Sequence, residues 1–201
     1  MAYRRAMDIT LAPDDTLTTL ESMLTRTTAL MESVQPADLA APTPCTDFDV
    51  EQLLEHMTTW AQVFDSTVND RPLDFDPMTH VVGGDYARVF ATASDGIVAG
   101  LRDGGWDRMM TMTASPIPGE MVLNMLLMEY LAHGWDLARA MGVAAPYTEQ
   151  EAIVALRAAQ AIIAPEYRGT GMFDDEVHVA ADAPALNRCM AFVGRDPAWR
   201  A

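Results

Sequence analysis

Residues 125–142, MLLMEYLAHGWDLARAMG, restrict the fold more than any other part of this chain. At about 3.6 residues per turn the segment is a mostly apolar helix, and such a helix has to be covered by others. Within its apolar stripe stand Glu129 and His133, four residues apart and so stacked on one face. Burying a carboxylate and an imidazole is costly unless their charges and hydrogen bonds are satisfied. Spacing alone leaves two ways to satisfy them, a polar core pair or a metal ion.

Other helices are available to cover this one. Leu17, Leu20, Met23, Leu24, Leu30 and Met31 give an apolar stripe to a first helix over about 14–34. Pro36, Pro42 and Pro44 break the chain after it. A second helix starts sharply, with Asp49 as N-cap, Gln52 as its capping-box partner and Phe48 placed to pack on Leu53. It runs through His56 and Trp60 to about Val68. A third is expected over 79–102, ending near Gly104 and Gly105. Residues 106–118 fit either an extended stretch or a short helix. The fourth helix covers about 119–141, with Gly142 closing it. Thr148 and Glu151 box the start of a fifth, about 149–163. In the tail, EVHVA at 176–180 alternates like a short strand, and 183–193 reads as a last helix between Asp182 and Gly194. Four long helices dominate, so the expected architecture is an all-α bundle. Residues 1–163 form the bundle domain and 164–201 a short C-terminal extension packed on it.

Charge narrows the partners. Twenty-nine acidic against 13 basic residues give −16, which excludes the basic footprint of a nucleic-acid binder and disfavours anionic membranes. The N-terminus carries Arg4 and Arg5 but no apolar stretch of a signal peptide. No segment approaches the roughly 20 apolar residues of a membrane span. Cys45 and Cys189 are too few for a disulfide framework, so a reducing, cytoplasmic setting is expected.

Of the four histidines, His56 lies mid-helix on a largely buried face and is the best placed to meet Glu129 and His133 across a bundle core. Two imidazoles and a carboxylate make three ligands of a tetrahedral zinc site whose fourth position stays open. The competing reading is a His–Glu core pair. Asp136, three residues after His133, either orients that imidazole from behind or forms a salt bridge with Arg139 or with a partner helix. Cys45, just before the second helix, reads as an inert, partly buried thiol rather than a ligand or nucleophile, because Asp47 and Asp49 oppose ionisation. Trp135 and the many methionines read as core packing. His80 and His178 read as surface or structural residues. Glycine-rich phosphate loops, GxSxG and HExxH are absent.

PTPCTDFDVEQLLEH (42–56), EYLAHGWDLARAMG (129–142) and FVGRDPAW (192–199) together resemble the actinobacterial DinB-like metal-binding family. That family is related to the N-terminal domain of mycothiol-dependent maleylpyruvate isomerase. The resemblance implies an antiparallel four-helix bundle of up-down-down-up type. It also implies a divalent metal, usually zinc, on one histidine of the second helix and a Glu-x3-His pair of a later helix, positions that fall on His56, Glu129 and His133. Relatives of this fold include thiol-dependent isomerases and transferases, so the resemblance further implies a small-molecule substrate and a low-molecular-weight thiol such as mycothiol.

Three functions share this ligand set. The first is a metal-dependent thiol transferase or isomerase acting on small electrophiles. The second is a hydrolase in which the metal activates water. The third is a non-catalytic, metal-stabilised binding protein, with Glu120 and Asp85 the only other acids placed to serve as a base. A homodimer paired through helix faces stays open.

Overall fold

The computed structural model describes residues 13–112, 115–169 and 173–201. The amino-terminal arginines lie outside the described residues. Four helices make the bundle: α1 (Pro13–Glu32), α2 (Val50–Val68), α3 (Tyr86–Arg102) and α4 (Gly119–Ala140). Each of α1 and α2 packs against both α3 and α4. The core they share includes Leu20, Met23 and Leu24 of α1, Leu53 and Met57 of α2, Phe90 and Ile97 of α3, and Leu126, Leu127 and Tyr130 of α4, all buried. The whole apolar stripe expected of α1 is buried.

Side-chain contacts fix the helix directions. Tyr86 at the start of α3 donates to Glu55 near the start of α2, and Asn69 beyond the end of α2 donates to the Gly96 carbonyl late in α3. These two helices therefore run parallel. Arg108, shortly before α4, holds the Val68 carbonyl at the end of α2, so α4 runs against α2. Arg102 at the end of α3 pairs with Glu21 early in α1, so α1 runs against α3. The order is up-down-down-up. Two parallel neighbours need a link as long as the helix itself, about 28 Å for α2. Residues 69–85 supply it, well within extended reach. Glu55 ties down the end of this crossover by accepting from the Val82 and Gly83 amides as well as from Tyr86.

Sequence and structure agree on the caps. Asp49 and Gln52 form the reciprocal box at the start of α2, and Thr148 and Glu151 form another at the start of α5 (Glu149–Ile162). Gly142, at φ +68°, closes α4, its amide reaching the Arg139 carbonyl while the Val143 amide reaches Ala138. Asp49→Ala is expected to cost about 1 kcal/mol. In a chain of this size that is a fall in melting temperature of about 2–4 °C, readable by circular dichroism.

Three expectations are corrected, and one open alternative is decided. The third helix starts at Tyr86, not near residue 79, because Gly83, Gly84 and Asp85 all take positive φ and cannot continue a right-handed helix. The segment left open between extended stretch and short helix holds both, a 3₁₀ turn (Gly105–Asp107) and a strand β1 (Met109–Met112) that pairs antiparallel with β2 (Ser115–Pro118). The prolines of β2 are tolerated there because the two-stranded sheet has only edges. Residues 176–180 are not a strand: their alternation finds no partner strand among the described residues, and their backbone bonds run from the Val177 amide to the Ala191 carbonyl and from the Ala183 amide to the Ala180 carbonyl. The last helix, α6 (Ala185–Phe192), is shorter than expected, with Pro184 rather than Asp182 at its cap. Glu149 of α5 accepts the Ala185 amide and seats α6 on α5. No helix among the described residues is long and apolar enough to cross a membrane.

Candidate metal centre

The antiparallel pairing of α2 and α4 brings the first third of α2 beside the last half of α4. His56 comes from the first, Glu129 and His133 from the second. His56 Nε2 lies 3.0 Å from Glu129 Oε1, and His133 Nε2 lies 3.5 Å from the same oxygen. The two imidazole rings stand 4.9 Å apart at 73°. One ligand atom from each of the three residues falls within 4.8 Å of the others. His133 is buried, while His56 and Glu129 are partly open to solvent.

Behind His133 lies Asp136, which is fully buried, with Oδ2 3.1 Å from His133 Nδ1. The carboxylate can only accept, so Nδ1 carries the proton and the Nε2 lone pair faces Glu129. A lone pair directed at a carboxylate oxygen is repulsive unless something positive stands between them, either a second proton or a metal ion. The charge balance agrees. Glu129 and Asp136 bring two negative charges, and Arg195 brings one positive charge. Burial works to raise the Glu129 carboxyl, but His133, His56 and Arg195 outweigh it and hold it at about 2. Burial works to lower His133, and the Glu129 and Asp136 carboxylates overturn it in the upward direction. The residues present thus fit a divalent cation in donor type, convergence and charge.

Asp136 lies against the His133 imidazole, as the first of its two readings has it. Arg139 does not pair with it: that guanidinium turns to the Pro197 and Trp199 carbonyls and lies 5.3 Å over the Trp135 ring. Instead Arg195 reaches Asp136 from the tail, with Nε 3.2 Å from Oδ1 and a terminal nitrogen 3.3 Å from Oδ2. Nothing in the local pattern around Asp136 signals this, since the two residues are 59 positions apart. The only trace in the sequence is the arginine inside FVGRDPAW.

Cys45, His133 and Asp136 also approach one another within 4.8 Å. This second group does not suit an ion, because the Arg195 guanidinium already occupies the positive position beside Asp136. Burial pushes the Cys45 thiol up to about 11, with Arg195 opposing and Asp136 adding to the rise. Burial alone raises Cys189 to about 12. Both thiols are free. At neutral pH the native protein should therefore show no fast-reacting thiol toward an aromatic disulfide reagent, and two after denaturation. A rapid native equivalent would contradict this assignment.

The remaining candidates lie elsewhere. His178 is exposed, and His80 stacks on Phe75 at 3.9 Å between centroids. Asp85 pairs with Arg88 in solvent, and Glu120 is exposed in the first turn of α4, about 13 Å of helix before Glu129. Neither is a base for this site. Phe48, expected only to staple the start of α2, has its ring 4.9 Å from that of His56 and 6.3 Å from that of His133. Trp60 stands 6.3 Å from His56 on the next turn. Phe48 and Trp60 give the site an aromatic side.

The family model of the mycothiol maleylpyruvate isomerase N-terminal domain matches residues 20–138. That span includes His56, Glu129, His133 and Asp136 and stops before Arg195. Two proteins of Mycobacterium tuberculosis, from strains CDC 1551 / Oshkosh and H37Rv and both described as uncharacterized, are each 26% identical over 175 residues. The alignment covers 83% of this chain and 90% of each relative. No solved structure matches the chain at a significant level.

Proposed function

The chain belongs to the family of the mycothiol maleylpyruvate isomerase N-terminal domain, and from that premise we propose that it is a metal-dependent thiol transferase or isomerase acting on small electrophiles. His56, Glu129 and His133 would hold the ion. Two imidazole nitrogens and one carboxylate oxygen suit zinc. The observation that carries this reading is the convergence of those three ligand atoms with Asp136 behind His133. When bound, the metal would supply Lewis acidity at an open position, where a low-molecular-weight thiol of the mycothiol type is held as a thiolate at neutral pH.

The chain's own residues do the rest. Asp136 keeps the proton of His133 on Nδ1 and so keeps Nε2 turned inward. Glu129 supplies one of the two negative charges that a dication needs, and a bound thiolate would supply the other. Phe48 and Trp60 cover one side of His56 and keep water from that side of the site. The partial exposure of His56 and Glu129 leaves the site reachable from solvent. No protein thiol competes as nucleophile, because burial keeps Cys45 protonated.

Protein purified without a histidine tag should carry about one zinc per chain, in keeping with the open three-ligand type of site. It should turn over model electrophiles only when mycothiol or bacillithiol is added. Rates indifferent to the thiol would make water the nucleophile and the protein a hydrolase. Absence of any bound divalent ion would sink the proposal.

A further inference from the structure

The tail of this chain is built to deliver one guanidinium. α6 ends in a paired turn: the Gly194 amide reaches the Ala191 carbonyl, and the Arg195 amide reaches Met190 at 2.8 Å. Gly194 sits at φ +88°, and a Cβ there would press on Asp174, so only glycine makes this turn without strain. The turn sends the Arg195 side chain inward beneath α4, where it is largely buried. Beyond it, Arg139 of α4 pins the chain by the Pro197 and Trp199 carbonyls. Arg195 Nε spans both oxygens of Asp136, at 3.2 and 3.3 Å, and a terminal nitrogen adds a third contact to Oδ2 at 3.3 Å.

We infer that Arg195 is a positioning residue of the metal centre. Its planar fork fixes the rotation of the Asp136 carboxylate. The carboxylate in turn fixes the His133 ring, with Nδ1–H on Asp136 and Nε2 toward Glu129 and His56. Without the fork, Asp136 can rotate about its side-chain bond, and the His133 ring loses the contact that sets its plane and its tautomer. The site would then consist of four residues from the bundle, His56, Glu129, His133 and Asp136, and a fifth, Arg195, from the C-terminal extension. This extends the family-matched domain, which ends at residue 138, by a part it does not contain. The inference rests on the metal-site reading above.

Arg195→Leu and Arg195→Lys, made in the full chain, test it beside Arg139→Met, which loosens the same tail but leaves the Arg195–Asp136 contact. Two quantities are read: zinc affinity, by competition with a chromophoric chelator, and the His133 ring nitrogens, by long-range proton–nitrogen correlation in zinc-stripped protein at alkaline pH, where the ring keeps a single proton. Wild type should show one His133 tautomer with the proton on Nδ1. Arg195→Leu should show averaged ring-nitrogen shifts and a loss of zinc affinity of about 10–100-fold, the usual effect of removing an outer-shell partner. Arg195→Lys, with one donor direction in place of a fork, should fall between them. Arg139→Met should leave the His133 spectrum unchanged. The inference is overturned if Arg195→Leu keeps the wild-type tautomer, or if Arg139→Met disturbs His133 as much. If the wild type itself takes up no zinc, the metal reading fails, and the tautomer measurement still decides the role of Arg195. Should Arg195→Leu not fold, Arg195→Lys alone carries the comparison.

Discussion

Replacing His133 by alanine should lower zinc affinity by about two orders of magnitude while leaving the bundle folded. A four-ligand protein zinc site is worth about 10–16 kcal/mol, or roughly 3 kcal/mol per ligand. Three kcal/mol is about a hundredfold in a dissociation constant. The fold should survive because the Asp136 carboxylate left behind still has Arg195. Chelator competition reads the affinity and circular dichroism reads the fold. His178→Ala, at an exposed position, is the matched control and should bind as wild type does. Equal affinity of the His133 and His178 variants would remove His133 from the site.

The second large effect is expected one residue further along. Gly134 faces Tyr147, and a Cβ at position 134 would overlap the tyrosine hydroxyl. That hydroxyl donates to the Tyr130 carbonyl at 2.8 Å and shares a 2.7 Å hydrogen bond with Thr27, so it joins α1, α4 and the segment leading into α5. Gly134→Ala must displace it. Overpacking costs about 1–3 kcal/mol, and buried hydrogen bonds lost with the displacement add about 1 kcal/mol each. A total near 3 kcal/mol lowers the melting temperature by about 6–12 °C in a chain of this length. Tyr147→Phe combined with Gly134→Ala removes the hydroxyl, the worst part of the overlap, so the pair should be less destabilised than the sum of the two singles by about 1 kcal/mol or more. Additive behaviour would mean that the two residues do not touch.

These two effects show what the sequence makes readable and what it does not. Where a helix starts or stops is a matter of local chemistry. Asp49 with Gln52, Thr148 with Glu151, and Gly142 were therefore readable in place. His56, Glu129 and His133 could be grouped because two of them share one helix face and the third stands on a capped neighbour. By contrast, Gly134 owes its identity to a tyrosine that approaches from another segment, which spacing within α4 does not reveal. Asp136 has a suitable arginine three residues away in Arg139 and yet pairs with Arg195, because the turn after α6 aims Arg195 at it. The alternating residues 176–180 carry a strand pattern without a partner, and alternation alone cannot build a ladder. At Gly83, Gly84 and Asp85 the apolar periodicity of α3 runs on past a backbone that has already left the helical region. In each case the deciding partner lies far along the chain or in the backbone dihedrals.

In the proposed function, α2 and α4 hold a divalent ion between them on His56, Glu129 and His133. X-ray data collected across the zinc absorption edge, from crystals of untagged protein, test it most directly. A single anomalous peak is expected in contact with a ring nitrogen of His56, a ring nitrogen of His133 and a carboxylate oxygen of Glu129, with Asp136 and Arg195 behind His133. A peak bound instead by Cys45 and Asp136, or none at the junction of the three residues in zinc-supplemented crystals, would contradict it.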